Sequence, residues 1–313
     1  MASVQEKTIV RQTDEQVQAA LLQADSAAVS TQHMPAEGHP EVESGDYEHE
    51  SFFAFALRTY EELRQFKFAL FTFVMNTLSR RYRRSVLGFA WSLLNPLLTM
   101  VVMSVVFASL FKRDLHHFSM FIFSGVLPWQ FIQTTITSST QSILANETFL
   151  KKLYNPRAFF PLANVCVEAF NFAFSLASLF ILAAIFGLSV KATSLLLPIV
   201  IGITCIFLCG ASLIMAIATV YFRDLAHITT VVLSVMFYMM PVMYPPDKLS
   251  PKLLLFFQFN PFYHIIRLYR QVIYEGVLPG VVDWLIPTLT AFGALLIGLY
   301  LLKRTERDLV FRL

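Results

Sequence analysis

The sequence predicts an all-α integral membrane protein: six transmembrane helices, an N-terminal amphipathic interface helix and short external re-entrant gate helices. Three observations predict it. Of 313 residues, 56% are hydrophobic and only 14% charged, with a mean hydropathy of +0.59, too apolar for a soluble chain of this length. The apolar residues come in blocks of roughly 20 or more, enough for a helix to cross about 30 Å of hydrocarbon. No block alternates apolar and polar residues at period two, as the strands of a membrane barrel would.

The first 50 residues follow a different rule. Ten acids against Lys7 and Arg11 give them a net charge of −8, leaving +11 for the rest of the chain to reach the total of +3. An acidic tail with few large apolar residues is expected to be disordered, and it lacks the basic start and apolar run of a secretory signal. Residues 51–84 change character again. In "SFFAFALRTYEELRQFKFALFTFVMNTLS", aromatic and aliphatic residues are interrupted by Arg58, Glu61, Glu62, Arg64 and Lys67. The charges are too frequent for a span and the aromatics too many for a solvated helix, so a cytoplasmic helix lying in the membrane interface is expected.

Six spans are expected near 89–111, 118–142, 159–187, 194–221, 226–245 and 281–302. An even number puts both ends of the chain on one side. Near the span ends, twelve Lys and Arg lie on that side and seven, including Arg267 and Arg270, on the other. This bias assigns both termini to the cytoplasm.

Several segments are candidates for function. Arg80, Arg81, Arg83 and Arg84 crowd the foot of the first span. They suit anchorage to anionic headgroups, at about 1 kcal/mol per basic residue, and equally suit a pyrophosphate, because each guanidinium presents a planar fork of donors. Glu168 is an acid inside the third span, and an intramembrane acid points to function; Arg267, or a tyrosine or threonine of a neighbouring span, is its expected partner. The segment "NETFLKKLYNPR", residues 146–157, has a helix start signal at Asn146, an apolar edge and a basic set. It predicts a short cytoplasmic amphipathic helix seated in a groove of a partner protein or on the headgroups. Between the fifth and sixth spans, "YPPDKLSPKLLLFFQFNPFYHIIRLYRQVIYEGVLPG" holds two apolar runs, 252–259 and 263–274, broken by proline. They predict a pair of short helices dipping into the outer leaflet, where protein or water must satisfy the broken backbone. Cys166, Cys205 and Cys209 read as small buried hydrophobes.

The missing motifs are equally informative. Gly293 to Gly298 has the glycine spacing of a phosphate-binding loop but continues with Leu and Tyr inside an apolar block, so no nucleotide hydrolysis is expected of this chain. No paired carboxylates, metal cluster or Ser/His/Asp set stands at a membrane surface, which weighs against an integral glycosyltransferase or acyltransferase. Energy for uphill movement is expected to arrive from a partner.

"SRRYRRSVLGFAWSLLNPLL" resembles the opening of permease subunits of ABC-2 type polysaccharide exporters, the family of O-antigen, teichoic acid and capsule export. The resemblance continues in order through "FSGVLPWQFI", "NETFLKKLYNPR", "VYFRDLAHI", "PVMYPPDKL" and "NPFYHIIRLYRQVIYEG", and covers the chain from about residue 65 onward. It implies an ABC-2 type six-span transmembrane domain over 85–313, in the bacterial inner membrane. Two such chains would form a channel between them and work with two copies of an ABC ATP-binding subunit. That partner would use ATP and Mg, while this chain binds no cofactor, metal or nucleic acid. By resemblance, Glu147, Lys151, Lys152, Arg157, Arg223 and Asp224 face the ATP-binding subunit. Phe118, Phe121, Trp129 and Phe131, with Glu168, are candidates for the pathway of a lipid-linked polysaccharide. The four arginines would recruit its pyrophosphate. An ABC-2 exporter of small hydrophobic molecules and a membrane-embedded enzyme of envelope assembly are the rival readings.

Overall fold

The computed structural model describes residues 51–82, 90–111, 115–152, 156–188, 190–244, 250, 252 and 257–312. The acidic segment 1–50, Arg83 and Arg84, and residues 253–256 of the first expected gate run lie outside the described residues. Every regular element among the described residues is helical. In chain order these are α1 (Phe52–Gln65), α2 (Lys67–Tyr82), α3 (Trp91–Phe111), α4 (Leu115–Thr140), α5 (Glu147–Lys152), α6 (Phe159–Ile185), α7 (Leu197–Tyr221), α8 (Leu225–Met239), α9 (Pro261–Arg270) and α10 (Val281–Arg312). One 3₁₀ turn, Leu144–Asn146, leads into α5 and another, Ala192–Leu196, into α7, while a π turn, Gln271–Glu275, extends α9.

Three stretches are long and apolar enough to cross a membrane: Phe159–Ile185, Ala192–Tyr221 and Val281–Glu306. Trp91–Val106 and Leu225–Met239 are shorter apolar helices. The expected fifth span, 226–245, is therefore cut short, because Pro241 lacks the N–H that would continue the ladder and the residue before it is driven to extended backbone. Met240 is extended, at φ −76° and ψ 149°. The last helix exceeds its expected end at 302. At 1.5 Å per residue its 32 residues run about 48 Å, so its final turns extend past any hydrocarbon layer.

α4 is the centre of the bundle, packed by α3, α6, α7, α8 and α9. Its first half is almost continuously buried from Ser119 to Trp129. The most extensive pairing joins α7 to α10. There a Cβ on Gly210 would stand 2.2 Å from the Ala294 carbonyl carbon, and one on Gly298 2.8 Å from the Gly210 carbonyl oxygen. Glycine at these two sites lets the backbones touch, the small-residue contact that membrane helices use in place of a hydrophobic drive.

The contacts also sort the two ends of the bundle. Phe55 of α1, Ile143, Ala158, Val220 and Leu309 share one apolar cluster, so α1, the α5 segment, the end of α7 and the end of α10 lie together at what we term the basal end. At the distal end, Thr193 Oγ1 donates to Val272 O at 2.8 Å, and Arg267 pairs with Asp283 at 3.2 Å. The single interface helix expected over 51–84 is two helices meeting at Phe66. α1 buries Phe55 and Thr59, and α2 buries Val74 and Leu78 against α6. Phe53, Leu57, Tyr60, Phe68 and Phe71 remain exposed on these two helices.

Glycine scanning tests the α7–α10 seam. Gly210→Ala should lower the thermal unfolding midpoint in detergent, because overpacking costs about 1–3 kcal/mol. Gly202→Ala, where nothing lies within 4 Å, should leave it unchanged or raise it through the better helix propensity of alanine. Equal midpoints for the two variants would contradict the seam.

Candidate functional site

The second half of α4 reads "WQFIQTTITSST", an unusual load of hydrogen-bonding groups for an apolar bundle. Most of these groups are satisfied within the protein. Thr135 Oγ1 donates to Phe131 O at 2.6 Å and Thr137 Oγ1 to Gln133 O at 2.7 Å. Ser139 Oγ donates to Ser212 Oγ at 2.9 Å, tying α4 to α7, and Asn164 Nδ2 donates to Ser138 O at 3.1 Å, tying it to α6. Gln133 accepts from Trp129 Nε1 at 3.0 Å and donates to Ser234 of α8 at 3.4 Å. Gln130 and Thr134 stand exposed on the bundle surface, Thr134 with its Oγ1 donating to Gln130 O at 2.7 Å. An amide directed into hydrocarbon costs several kcal/mol, so such a face belongs to a water-filled space or a protein interface.

Beside this face, α3, α4 and α6 enclose a cavity of about 280 Å³. α3 contributes Asn95 and Thr99, α4 contributes Gln130, Phe131 and Thr134, and α6 contributes Glu168, Asn171 and Ser175. Glu168 is 9% exposed, and its Oε2 accepts from Asn171 Nδ2 at 3.0 Å. The two residues are three apart, so they share one face of α6. The expected partner Arg267 is elsewhere, paired with Asp283 at the distal end. Glu168 is nine residues into α6, roughly 14 Å from its start, which places the cavity in the basal half of the bundle. Its aromatic wall is rigid: Phe131 stacks on Phe172 at 4.7 Å, and Phe172 meets the fully buried Tyr269 edge-on at 5.6 Å.

Of the four aromatic candidates, Phe131 lines this cavity. Trp129 is fully buried, edge-on to Phe262 at 5.8 Å. Phe121 stacks on Phe118 at 6.0 Å and carries the Arg270 guanidinium 4.2 Å above its ring. Trp129 and Phe121 thus act in packing within one chain, and Phe118 is partly buried against the same core.

Arg270 departs from the expectation that it is an external basic residue, being buried at 5% exposure. Its Nη1 donates to Pro241 O at 3.1 Å and its Nη2 to Val242 O at 2.8 Å. The proline break after α8 frees these carbonyls from a helical ladder, and the guanidinium fork satisfies both. Gly125 makes room for the contact, since a Cβ there would lie 2.8 Å from Val242 O.

At the basal end, Glu147 opens α5, and Lys151 and Lys152 close it. Asn146 stands at the expected helix start, but its Nδ2 donates back to Ser142 O at 2.8 Å. Phe149 is exposed at 51%, and Leu150 packs on the basal cluster. Arg157 Nη1 lies 3.3 Å from Glu306 Oε1, and Arg58 Nη2 lies 3.0 Å from Glu306 Oε2. One carboxylate of α10 thereby joins the α5 segment to α1. Arg223 and Asp224 are exposed in the turn between α7 and α8. Arg80 is exposed near the end of α2, which also contains Arg81. Among the described residues no three His, Cys, Asp or Glu are grouped to hold a metal ion, and the three cysteines are free and half-buried.

A family model described as ABC-2 type transporter matches residues 69–274, from within α2 to the π turn after α9. The chain belongs to that family. The O-antigen export system permease protein RfbA of Myxococcus xanthus is 32% identical over 227 residues, which cover 71% of this chain and 86% of that relative. A protein of the same name from Klebsiella pneumoniae is 30% identical over 199 residues, 63% of this chain and 77% of the relative. The polysialic acid transport protein KpsM of Escherichia coli is 21% identical over 237 residues, 74% of this chain and 90% of the relative. This ABC-2 chain is a multi-pass membrane protein and a transport subunit by family.

Three residues of this ABC-2 chain escaped the sequence reading. Asn171 had one available signal, its i+3 spacing from Glu168. Glu306 sits in a run of alternating charges that reads as solvated, and Arg270 looks like any loop cation until the Pro241 break is seen.

The basal node is testable by charge exchange. Glu306→Arg should remove both ion pairs, and Arg58→Glu with Glu306→Arg should restore part of the loss. Because the partners are about a quarter to a third exposed, each pair is worth about 0.5–1 kcal/mol, read as thermal midpoints in a double-mutant cycle. Strict additivity of the two changes would dismiss the node.

Proposed function

We propose that this chain is the six-span, channel-forming subunit of an ATP-driven exporter that moves a lipid-linked polysaccharide across the bacterial inner membrane, with both termini cytoplasmic. The observation that carries the reading is the alignment of most of the chain with relatives named as O-antigen export permeases. Geometry adds support. α6, α7 and α10 include stretches long and apolar enough to cross a membrane, α3 and α8 are shorter apolar helices, and α4 presents hydrogen-bonding groups beside a cavity lined by both polar and apolar side chains.

Two copies of the chain would face one another across that polar stripe, and two ATP-binding subunits would supply hydrolysis with ATP and Mg. The segment 146–157 suits the coupling element. Its exposed Phe149 offers an apolar anchor and Arg157 a link, through Glu306, to the interface helix. Glu147, Lys151, Lys152, Arg223 and Asp224 complete the face presented to that partner. Arg80, Arg81, Arg83 and Arg84 would receive the pyrophosphate of the lipid carrier at the foot of α3. α9, with its π turn, fits an external gate helix: Arg270 holds it to the broken end of α8, and Arg267 and Gln271 both reach Asp283 at the start of α10. Residues 1–50 remain a tail, 51–84 an interface element and 85–313 the transmembrane domain.

The test is ATP hydrolysis by the chain copurified with its ATP-binding partner in lipid, with and without lipid-linked glycan from the same cells. The expected result is a stable complex whose hydrolysis rises with glycan and loses that response when Lys151, Lys152 and Arg157 are replaced by Ala. A chain that captures no ATPase and alone modifies a glycan or lipid would place it among membrane enzymes instead.

A further inference from the structure

A continuous α-helix pairs each N–H with the carbonyl four residues back, and the end of α9 departs from that rule. The Gly276 N–H reaches past Val272 and donates to Gln271 O at 2.9 Å, and the Val277 N–H donates to the same oxygen at 3.2 Å. Gln271–Glu275 is therefore a π turn, one residue wider than an α turn, closed by Gly276 at φ 70°. The carbonyl passed over is held from outside the helix. Thr193 Oγ1 donates to Val272 O at 2.8 Å and Ser194 Oγ at 3.4 Å. Val272 is fully buried, where a carbonyl without a donor is costly. Its oxygen thus has two alternative donors: the Thr193 and Ser194 hydroxyls in the π register, and the Gly276 N–H in an α register.

The turn lies between two packed groups of helices. On one side α9 is clamped to α8 and α4. Arg270 takes the Pro241 and Val242 carbonyls, its guanidinium lies 4.2 Å above the Phe121 ring, and Tyr274 meets that ring edge-on at 5.4 Å. On the other side α7 and α10 touch backbone to backbone at Gly210 and Gly298, and both grip the turn. Thr193 and Ser194 stand in the 3₁₀ turn that runs into α7. Asp283, in the first turn of α10, accepts from Gln271 Nε2 at 2.8 Å and pairs with Arg267 at 3.2 Å. Tyr269 Oη, donating to Thr204 Oγ1 of α7 at 3.2 Å, crosses the same boundary. Conversion of a π turn to an α turn moves one residue out of the turn, a displacement of about 1.5 Å along the axis. The far end of α10 contains Glu306, paired with Arg157 and Arg58, so the helix that grips the turn also reaches the face proposed for the ATP-binding partner.

We propose that the π turn is a two-register joint between α9 and the α7–α10 pair. Thr193 and Ser194 hold the observed π register, and a shift of the pair, driven from the basal end through Glu306, hands Val272 O to the Gly276 N–H. The proposal rests on the export reading for its driving partner and adds the distal response to events at the ATPase.

The test uses the full chain with Cys166, Cys205 and Cys209 replaced by Ala and Leu278→Cys carrying a trifluoromethyl label. Leu278 is 72% exposed just past the turn, so the label reports the register by fluorine NMR in lipid nanodiscs without entering the core. Without nucleotide, two exchanging resonances are expected, the major one from the π register. Thr193→Val with Ser194→Ala, which removes both hydroxyls and keeps the shape at 193, should raise the minor-to-major ratio about fivefold, the scale of one hydrogen bond. Thr193→Ser, which keeps the hydroxyl, should retain the wild-type ratio. With the ATP-binding partner and trapped nucleotide, the wild-type ratio should move in the same direction, and Glu306→Ala should reduce that response by about half or more. A single resonance, or a ratio that the double variant leaves unchanged, overturns the joint. A complex that hydrolyses ATP while the wild-type ratio stays fixed overturns the coupling and spares the export reading. If no ATPase copurifies, the export reading falls and the drive from the basal end falls with it.

Discussion

Hydrocarbon offers no hydrogen bonds, and the architecture of this bundle follows from what that does to α4. The helix carries polar side chains at most positions from Gln130 to Thr140, and each must find a partner inside the protein or face water. Ser139 finds Ser212, Gln133 bridges Trp129 and Ser234, and Asn164 caps the free lone pair of the Ser138 carbonyl. These bonds draw α6, α7 and α8 around α4. The exposed groups are on the open side, next to the cavity with Glu168: the Gln130 amide, and Thr134, whose Oγ1 donates to Gln130 O at 2.7 Å. One helix thus organises the packing and defines the wet face, because the same constraint governs both.

The ends of the bundle obey a related logic with charges. At the distal end a proline break leaves carbonyls that no helix satisfies, and the Arg270 fork occupies them from the neighbouring α9. At the basal end Glu306 holds Arg58 and Arg157 at once. The α5 segment and α1 are therefore held by one carboxylate, and α1 is the helix whose exposed Phe53, Leu57 and Tyr60 suit a lipid surface. The carboxylate connects the segment proposed to face the ATPase with the interface helix α1.

The all-helical class was legible from composition and block length, because apolar runs of this size have one solution in a bilayer. The short α5 and the helix of the second gate run were legible from amphipathic spacing and proline placement. Boundaries were not: α8 stops at Met239 because Pro241 acts locally, and α10 runs to Arg312, past the expected end at 302, with Glu306 paired to Arg58 and Arg157. The site was legible in part. Glu168 stood out as the acid in an apolar block and its partner Asn171 lies at i+3 on the same helix, but the role of Arg270 and the node at Glu306 depend on contacts between elements far apart in sequence. Burial separates the aromatic candidates. Phe131 reaches the cavity, while Trp129 is enclosed by Phe237 and Phe262, a distinction that 31 phenylalanines conceal.

The central claim is that the Gln130 and Thr134 face of α4 is bathed in water within the membrane. It is tested most directly by replacing Cys166, Cys205 and Cys209 with Ala, introducing Thr134→Cys, and measuring its reaction with a membrane-impermeant thiol reagent in lipid vesicles. Leu289→Cys on the exposed apolar side of α10 serves as the control. The account predicts rapid labelling at position 134 and none at position 289. Protection at both positions would mean that the face is sealed by lipid or protein, and the water-filled path would have to be sought elsewhere in the bundle.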